Sequence, residues 1–128
     1  MIYQTLNHQI NTQALTIKNA DGVKLNIRPK TCQLLLLLLK NSGNAINKQV
    51  LLETVWAGSI VNEQVVFQSI NEIRQLFPNL DVIKTIPKQG YVWLPEVVIV
   101  EHAKPSKLPI KKIIFALFTL LIGVSLVF

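Results

Sequence analysis

The sequence predicts an α+β domain, with an N-terminal antiparallel sheet, three helices and a C-terminal β-hairpin, followed by one transmembrane helix. Three observations carry this prediction. Short β-type runs give way to three helical stretches and then to a second pair of β-type runs. The last helical stretch has an apolar stripe at helical period. From Ile113 to Phe128 the chain reads IIFALFTLLIGVSLVF, without a charged residue. The organisation that follows is a domain over residues 1–96, a linker over 97–109 and a membrane helix over 110–128.

Residues 2–27 carry the first β-type runs. Ala14-Leu15-Thr16-Ile17 and Val23-Lys24-Leu25-Asn26-Ile27 flank Asn19-Ala20-Asp21-Gly22, a turn signal with a glycine free to take positive φ. Pro29 opens the first helix, where its missing N–H costs nothing. Leu34 to Leu39 is a run of six leucines. It is too short to span a bilayer and is closed by Lys40, so it reads as core. Asn41-Ser42-Gly43-Asn44 ends the helix with a glycine C-cap pattern. Asn47 is an N-cap for a second helix, whose Val50, Leu51, Val55 and Trp56 have helical spacing. Trp56, alone in an apolar pattern, reads as a core anchor rather than a base-stacking residue.

Ala57-Gly58-Ser59 breaks that helix. A third runs from near Asn62 to Phe77, before Pro78, with Val66, Ile70, Ile73 and Phe77 as its buried stripe. Its other faces hold Gln64, Phe67, Gln68, Asn71, Glu72, Arg74 and Gln75. Amides pair bidentately with adenine and Arg with guanine, so this composition suits the reading of base edges. On composition alone it also suits a plain solvated face. Val82–Ile86, Pro87-Lys88-Gln89-Gly90 and Tyr91–Leu94 then form a hairpin with a basic tip.

Charge divides the chain further. The net charge is +6, with 16% charged and 50% hydrophobic residues, which argues against a disordered chain. Half of that net charge lies beyond residue 100, where Lys104, Lys107, Lys111 and Lys112 precede the apolar run. From Ile110 onward a helix would be about 28 Å long, close to the hydrocarbon thickness of a bilayer. It has no polar face with which to lie on a soluble core. The lysines on its N-terminal side would sit among anionic headgroups and place the domain in the cytoplasm. Pro105, Ser106 and Pro109 mark a linker.

One cysteine, Cys32, excludes a disulfide framework and a cysteine-based zinc site. His8 and His102 lie far apart and read as surface residues. No metal or cofactor site, phosphate loop or catalytic carboxylate pair is evident, so an enzyme has no supporting constellation.

Four segments then resemble one family. Ile27-Arg28-Pro29-Lys30 with the leucine run is similar to its first helix. Val50-Leu51-Leu52-Glu53-Thr54-Val55-Trp56 is similar to its second. Val66-Phe67-Gln68-Ser69-Ile70-Asn71-Glu72-Ile73-Arg74 is similar to its recognition helix, and Ile83–Tyr91 to its wing. The family is the OmpR/PhoB-type winged helix-turn-helix, and within it the membrane-anchored ToxR/CadC-like regulators. The resemblance covers about residues 10–95.

It implies a third helix in the DNA major groove and a wing tip near a minor groove. Carried over by position, the DNA-facing residues are Gln68, Asn71, Glu72 and Arg74, with Lys84, Thr85, Lys88 and Gln89 on the wing. Gln64 and Gln75 join the helix set from the reading of its polar face, and Lys30 and Lys48 are expected phosphate contacts. Cys32 stands where the family usually carries a large aromatic. No receiver domain is expected ahead of the domain and no sensory domain after Phe128, so a signal is expected through a partner or the bilayer.

The function expected is a membrane-anchored transcription regulator of the bacterial inner membrane. Its partners would be double-stranded DNA and membrane lipids, with RNA polymerase, a membrane partner protein and a second copy on DNA as further candidates. The alternative is a membrane adaptor that uses the winged helix to bind protein.

Overall fold

The computed structural model describes residues 1–100. Five short strands form one antiparallel sheet: β1 (Ile2–Thr5), β2 (His8–Asn11), β3 (Thr16–Lys18), β4 (Lys24–Asn26) and, from the far end, β7 (Val98–Val100). Their order is β4-β3-β2-β1-β7. Between β4 and β7 come α1 (Pro29–Lys40), α2 (Lys48–Val55), α3 (Gln64–Leu76) and a two-stranded hairpin of β5 (Ile83–Ile86) and β6 (Gly90–Trp93).

Each element has a local cause. The Asn19–Gly22 turn closes β3 onto β4, with the Asn19 side chain accepting from the Asp21 and Val23 amides at 3.0 and 2.9 Å. Pro29 sits at the start of α1. Asn47 caps α2 as expected, its side chain accepting from the Gln49 amide at 2.7 Å. At the end of α1, the residue at the cap is Asn41 itself, whose side-chain amide donates to the Leu37 carbonyl at 2.8 Å. Gly43 comes two residues later, at positive φ, and donates its N–H to the Trp93 carbonyl at 2.9 Å. It therefore ties the helix exit to the hairpin rather than capping the helix.

One core joins the layers. Tyr3, Ile10 and Ile17 come from the sheet, and Leu34, Leu35, Leu38 and Leu39 from the leucine run. Leu51, Val55 and Trp56 come from α2 and its end, and Val66, Ile70 and Ile73 from α3, with Phe77 just beyond. The leucine run is thus core, because α1 packs against α2, α3 and β6 together. The Phe77 ring lies edge-on to Trp93 at 5.4 Å and tilted against His8 at 4.6 Å.

Two expectations change. His8 is buried, not on the surface: it begins β2, packs on Phe77, and its Nδ1 lies 2.7 Å from the Leu6 carbonyl. A ring with one nitrogen bonded and a flat face for an aromatic neighbour is a satisfied core group. Val98–Val100 also do not start a linker. They pair with Gln4, Tyr3 and Ile2, where β1 offers a free edge. Residues 101–128, which hold the expected membrane helix, His102 and the flanking lysines, lie outside the described residues. Among the described residues no helix is long and apolar enough to cross a membrane.

Candidate nucleic-acid interface

The third helix is aimed by its stripe. Val66, Ile70 and Ile73 are fully buried, and Ser69 lies beside them. The periodicity then leaves Gln64, Gln68, Asn71 and Gln75 along the opposite side at spacings of four, three and four. Gln64, Gln68 and Gln75 are exposed and Asn71 is half-buried. Asn62 sets the helix start by accepting from the Gln64 amide at 2.9 Å. The result is a ridge of amides pointing to solvent. Beside it Phe67 leaves 50% of its surface exposed. An exposed phenyl on a polar face is the signal by which it stands out, and the helical pattern by itself gave it no role.

The hairpin lies alongside. Lys84 and Thr85 are exposed on β5, and Lys88 and Gln89 at the tip, where Lys88 takes a φ of 66°. Tyr91, Val92 and Trp93 of β6 are buried, Tyr91 and Trp93 in the common core. Backbone bonds fix the hairpin to the helices: the Ile46 N–H donates to the Tyr91 carbonyl at 2.8 Å and the Tyr91 N–H donates to that of Ile46 at 3.0 Å. Gly90 makes this approach possible. A Cβ there would lie 1.9 Å from the Ile46 carbonyl oxygen, and its φ of 116° disfavours any side chain.

The remaining expected residues are placed differently. Arg74 turns toward the hairpin, and its Nη2 donates to the Ile83 carbonyl at 3.1 Å and to Thr85 Oγ1 at 3.2 Å. It thereby links α3 to β5. Glu72 turns toward α1, where its carboxylate accepts from Thr31 Oγ1 at 2.6 Å and pairs with Arg28 at 3.0 Å. It belongs to the packing of α1 on α3, in a groove that Gln75 at the end of the amide ridge also lines. Lys30 donates to the Val55 carbonyl at 2.9 Å, a cation at the C-terminal end of α2. Lys48 pairs with Glu63 at 2.8 Å, and its amine is held above the usual lysine value by that hydrogen bond and by the charge behind it. Among the described residues Lys84 and Lys88 have no carboxylate partner. The candidate surface therefore brings together Gln64, Phe67, Gln68, Asn71 and Gln75 with Lys48, Lys84, Thr85, Lys88 and Gln89. Arg74 serves as the strut between the two groups, while Lys30 and Glu72 serve the frame.

A helix ridge flanked by a hairpin and standing on a sheet of this order defines a winged-helix domain. The chain belongs to the OmpR/PhoB-type family described as "Transcriptional regulatory protein, C terminal", whose model matches residues 22–93. It is 33% identical over 85 residues to the transcriptional activator CadC of Escherichia coli, across 62% of this chain and 17% of CadC. It is 33% identical over 99 residues to the transcriptional regulator HilA of Salmonella typhimurium, across 70% of this chain and 18% of HilA. The chain thus spans under a fifth of the length of either relative.

Among solved structures, the DNA-binding domain of E. coli CadC superposes with a TM-score of 0.71 at 27% identity, covering 77% of this chain and 96% of that one. The Klebsiella pneumoniae RstA domain in complex with its RstA box shares the fold, with a TM-score of 0.63 at 16% identity over 74% of this chain and 98% of that one. CadC and HilA are transcriptional regulators by name.

Proposed function

We propose that this chain is a membrane-anchored transcription regulator whose winged helix binds double-stranded DNA from the cytoplasm. The observation that carries the DNA-binding part is the amide ridge of α3 set beside an unpaired basic wing, in a domain of a regulator family. On this reading α3 enters the major groove. Gln64, Gln68, Asn71 and Gln75 meet base edges there, where an amide matches adenine N6 and N7. Phe67 supplies an apolar contact suited to a thymine methyl. Lys84 and Lys88 supply phosphate contacts, which position the domain and carry no sequence information, and Lys48 joins them only where its pairing with Glu63 is released. Since phosphate contacts do not tell one sequence from another, the discrimination comes from the amides.

Anchoring rests on the uncharged apolar run Ile113–Phe128 and the lysines before it. β7 ends at Val100, so nine residues separate the sheet from the start of the expected membrane helix at Ile110. The domain would work close under the inner membrane, with RNA polymerase, a membrane partner and a second copy on DNA as its remaining proposed partners.

The decisive experiment is genome-wide crosslinking of the tagged full chain to DNA, paired with carbonate extraction of membranes. Enrichment at discrete promoters and retention in the membrane pellet are the expected results. Uniform background crosslinking would sink the regulator reading, and release by carbonate would sink the anchor.

A further inference from the structure

We propose that Glu63 is an electrostatic brake on DNA binding, holding the Lys48 ammonium so that one phosphate contact of the interface is cancelled. The inference rests on the DNA-binding reading above and adds to it a residue that sets the balance between sequence-independent and sequence-dependent affinity.

The geometry is specific. Lys48 is the first residue of α2 and Glu63 immediately precedes α3, and their side chains meet at 2.8 Å. The pair stands over a groove of about 550 Å³ that also takes in Gln64, Phe67 and Tyr91, at the start of the amide ridge. Lys48 and Tyr91 line the adjoining groove too, with Thr85 and Lys88 of the wing. Lys48 thus occupies the ridge between the helix side and the wing side. Glu63 is the one carboxylate among the described residues lining either groove.

Its side chain makes no capping bond to α3, so the contact the structure gives it is the one with Lys48. Both partners leave about half their side-chain surface in water, 46% and 57%. An exposed pair of this kind adds little to folding and can be exchanged for another partner.

The consequence follows from counterion release. Sequence-independent affinity grows with the number of phosphates neutralised, and the slope of log affinity against log salt is about −0.9 per contact. A lysine already matched by a carboxylate adds nothing to that count. Base-edge contacts of the amides do not depend on it. Glu63 therefore lowers binding to arbitrary and to cognate DNA by a similar factor, and leaves the base contacts of the amides a larger share of the total affinity.

The test uses the full chain in detergent micelles and a fluorescent duplex of mixed sequence, titrated by anisotropy across a salt series. Glu63→Gln should steepen the salt slope by about 0.9 and tighten binding about eightfold at about 0.1 M salt. Adding Lys48→Met to Glu63→Gln should remove that gain. Thermal melting of Glu63→Gln should match the parent, since no cap or core contact is lost. A slope unchanged in Glu63→Gln overturns the proposal, as does a gain that survives Lys48→Met. If the parent chain itself shows no salt-dependent binding, the DNA-binding reading fails and the brake fails with it, and the parent titration reports that outcome separately.

Discussion

The five-stranded sheet and the two-stranded wing are both antiparallel, yet they are held in place differently. In the sheet, β1, β2 and β3 each pair on both sides, and Tyr3, Ile10 and Ile17 set one face on the core. In the wing, β5 and β6 have only each other as strands, and a lone hairpin is marginal in water. What locates it comes from outside: Gly43 on Trp93, Ile46 on Tyr91, and Arg74 on Ile83 and Thr85. Those anchors belong to the α1–α2 connection and to α3. Placing the wing and placing the amide ridge are therefore one mechanical problem, and the sheet is a scaffold beneath both. Substitutions in the sheet should change stability alone, whereas substitutions at the wing anchors should change stability and DNA affinity together.

The largest effect should come where the two regions meet. Phe77 is fully buried, against His8 of the sheet on one side and Trp93 of the wing on the other. Phe77→Ala should cost about 3–5 kcal/mol in urea unfolding, the loss of a large buried ring plus its cavity. A cost under about 1 kcal/mol would mean that the two regions do not share a joint.

Gly90→Ala should follow, at about 2–4 kcal/mol, because a Cβ 1.9 Å from the Ile46 carbonyl oxygen forces backbone to move. It should also weaken DNA binding in anisotropy titrations under conditions where the variant is still folded. Full affinity in a folded Gly90→Ala variant would break the argument that this close approach positions the wing.

Much of this frame was legible in the sequence, and the illegible parts have a common cause. Pro29, Asn47 and the Val66–Ile70–Ile73–Phe77 stripe act through local geometry, so their roles follow from spacing. β7 is three residues long and pairs with a strand at the other end of the chain, so it reads as linker until the sheet is seen. His8 reads as surface because its partners, the Leu6 carbonyl and Phe77, are backbone and a distant ring. Periodicity assigns a residue to a helix face but not to a partner. Glu72 and Arg74 lie off the buried stripe as expected, yet one meets Arg28 and Thr31 on α1 and the other meets β5. Lys30 is likewise spent on the end of α2. The amide ridge survives this correction because Gln64, Gln68 and Gln75 are exposed.

Arg74 allows a sharper test of what the anchors do. Arg74→Met keeps a good helix former but removes both hydrogen bonds to β5. The expected stability cost is about 1–2 kcal/mol. Affinity for cognate and mixed-sequence DNA should fall by similar factors, because a displaced wing loses phosphate contacts on any sequence. A loss confined to one base position would instead make Arg74 a base-reading residue. Lys88→Gln, at the exposed tip, should leave stability within about 0.5 kcal/mol of the parent. It should reduce the salt slope of binding by about one.

The smallest effect should come from the sheet, with the opposite sign. Thr5 and His8 face each other across a two-residue turn in which Leu6 and Asn7 both have positive φ, 49° and 61°. Such a turn matches the twist of the flanking strands, but it favours Asn, Asp or Gly at both positions. Leu6 carries a side chain poorly suited to that backbone and leaves 41% of its surface in water, so it recovers little by burial. Asn tolerates the left-handed region better. The contact His8 makes here is with the Leu6 carbonyl, a backbone group that the substitution keeps. Leu6→Asn should therefore stabilise by about 0.5 kcal/mol, a rise of about 2–4 °C in Tm. Its DNA affinity and salt slope should equal the parent's, since nothing in the turn touches α3's exposed ridge or the wing. A stabilised variant with altered DNA affinity would show that the sheet takes part in binding, and the division between scaffold and interface would have to be redrawn.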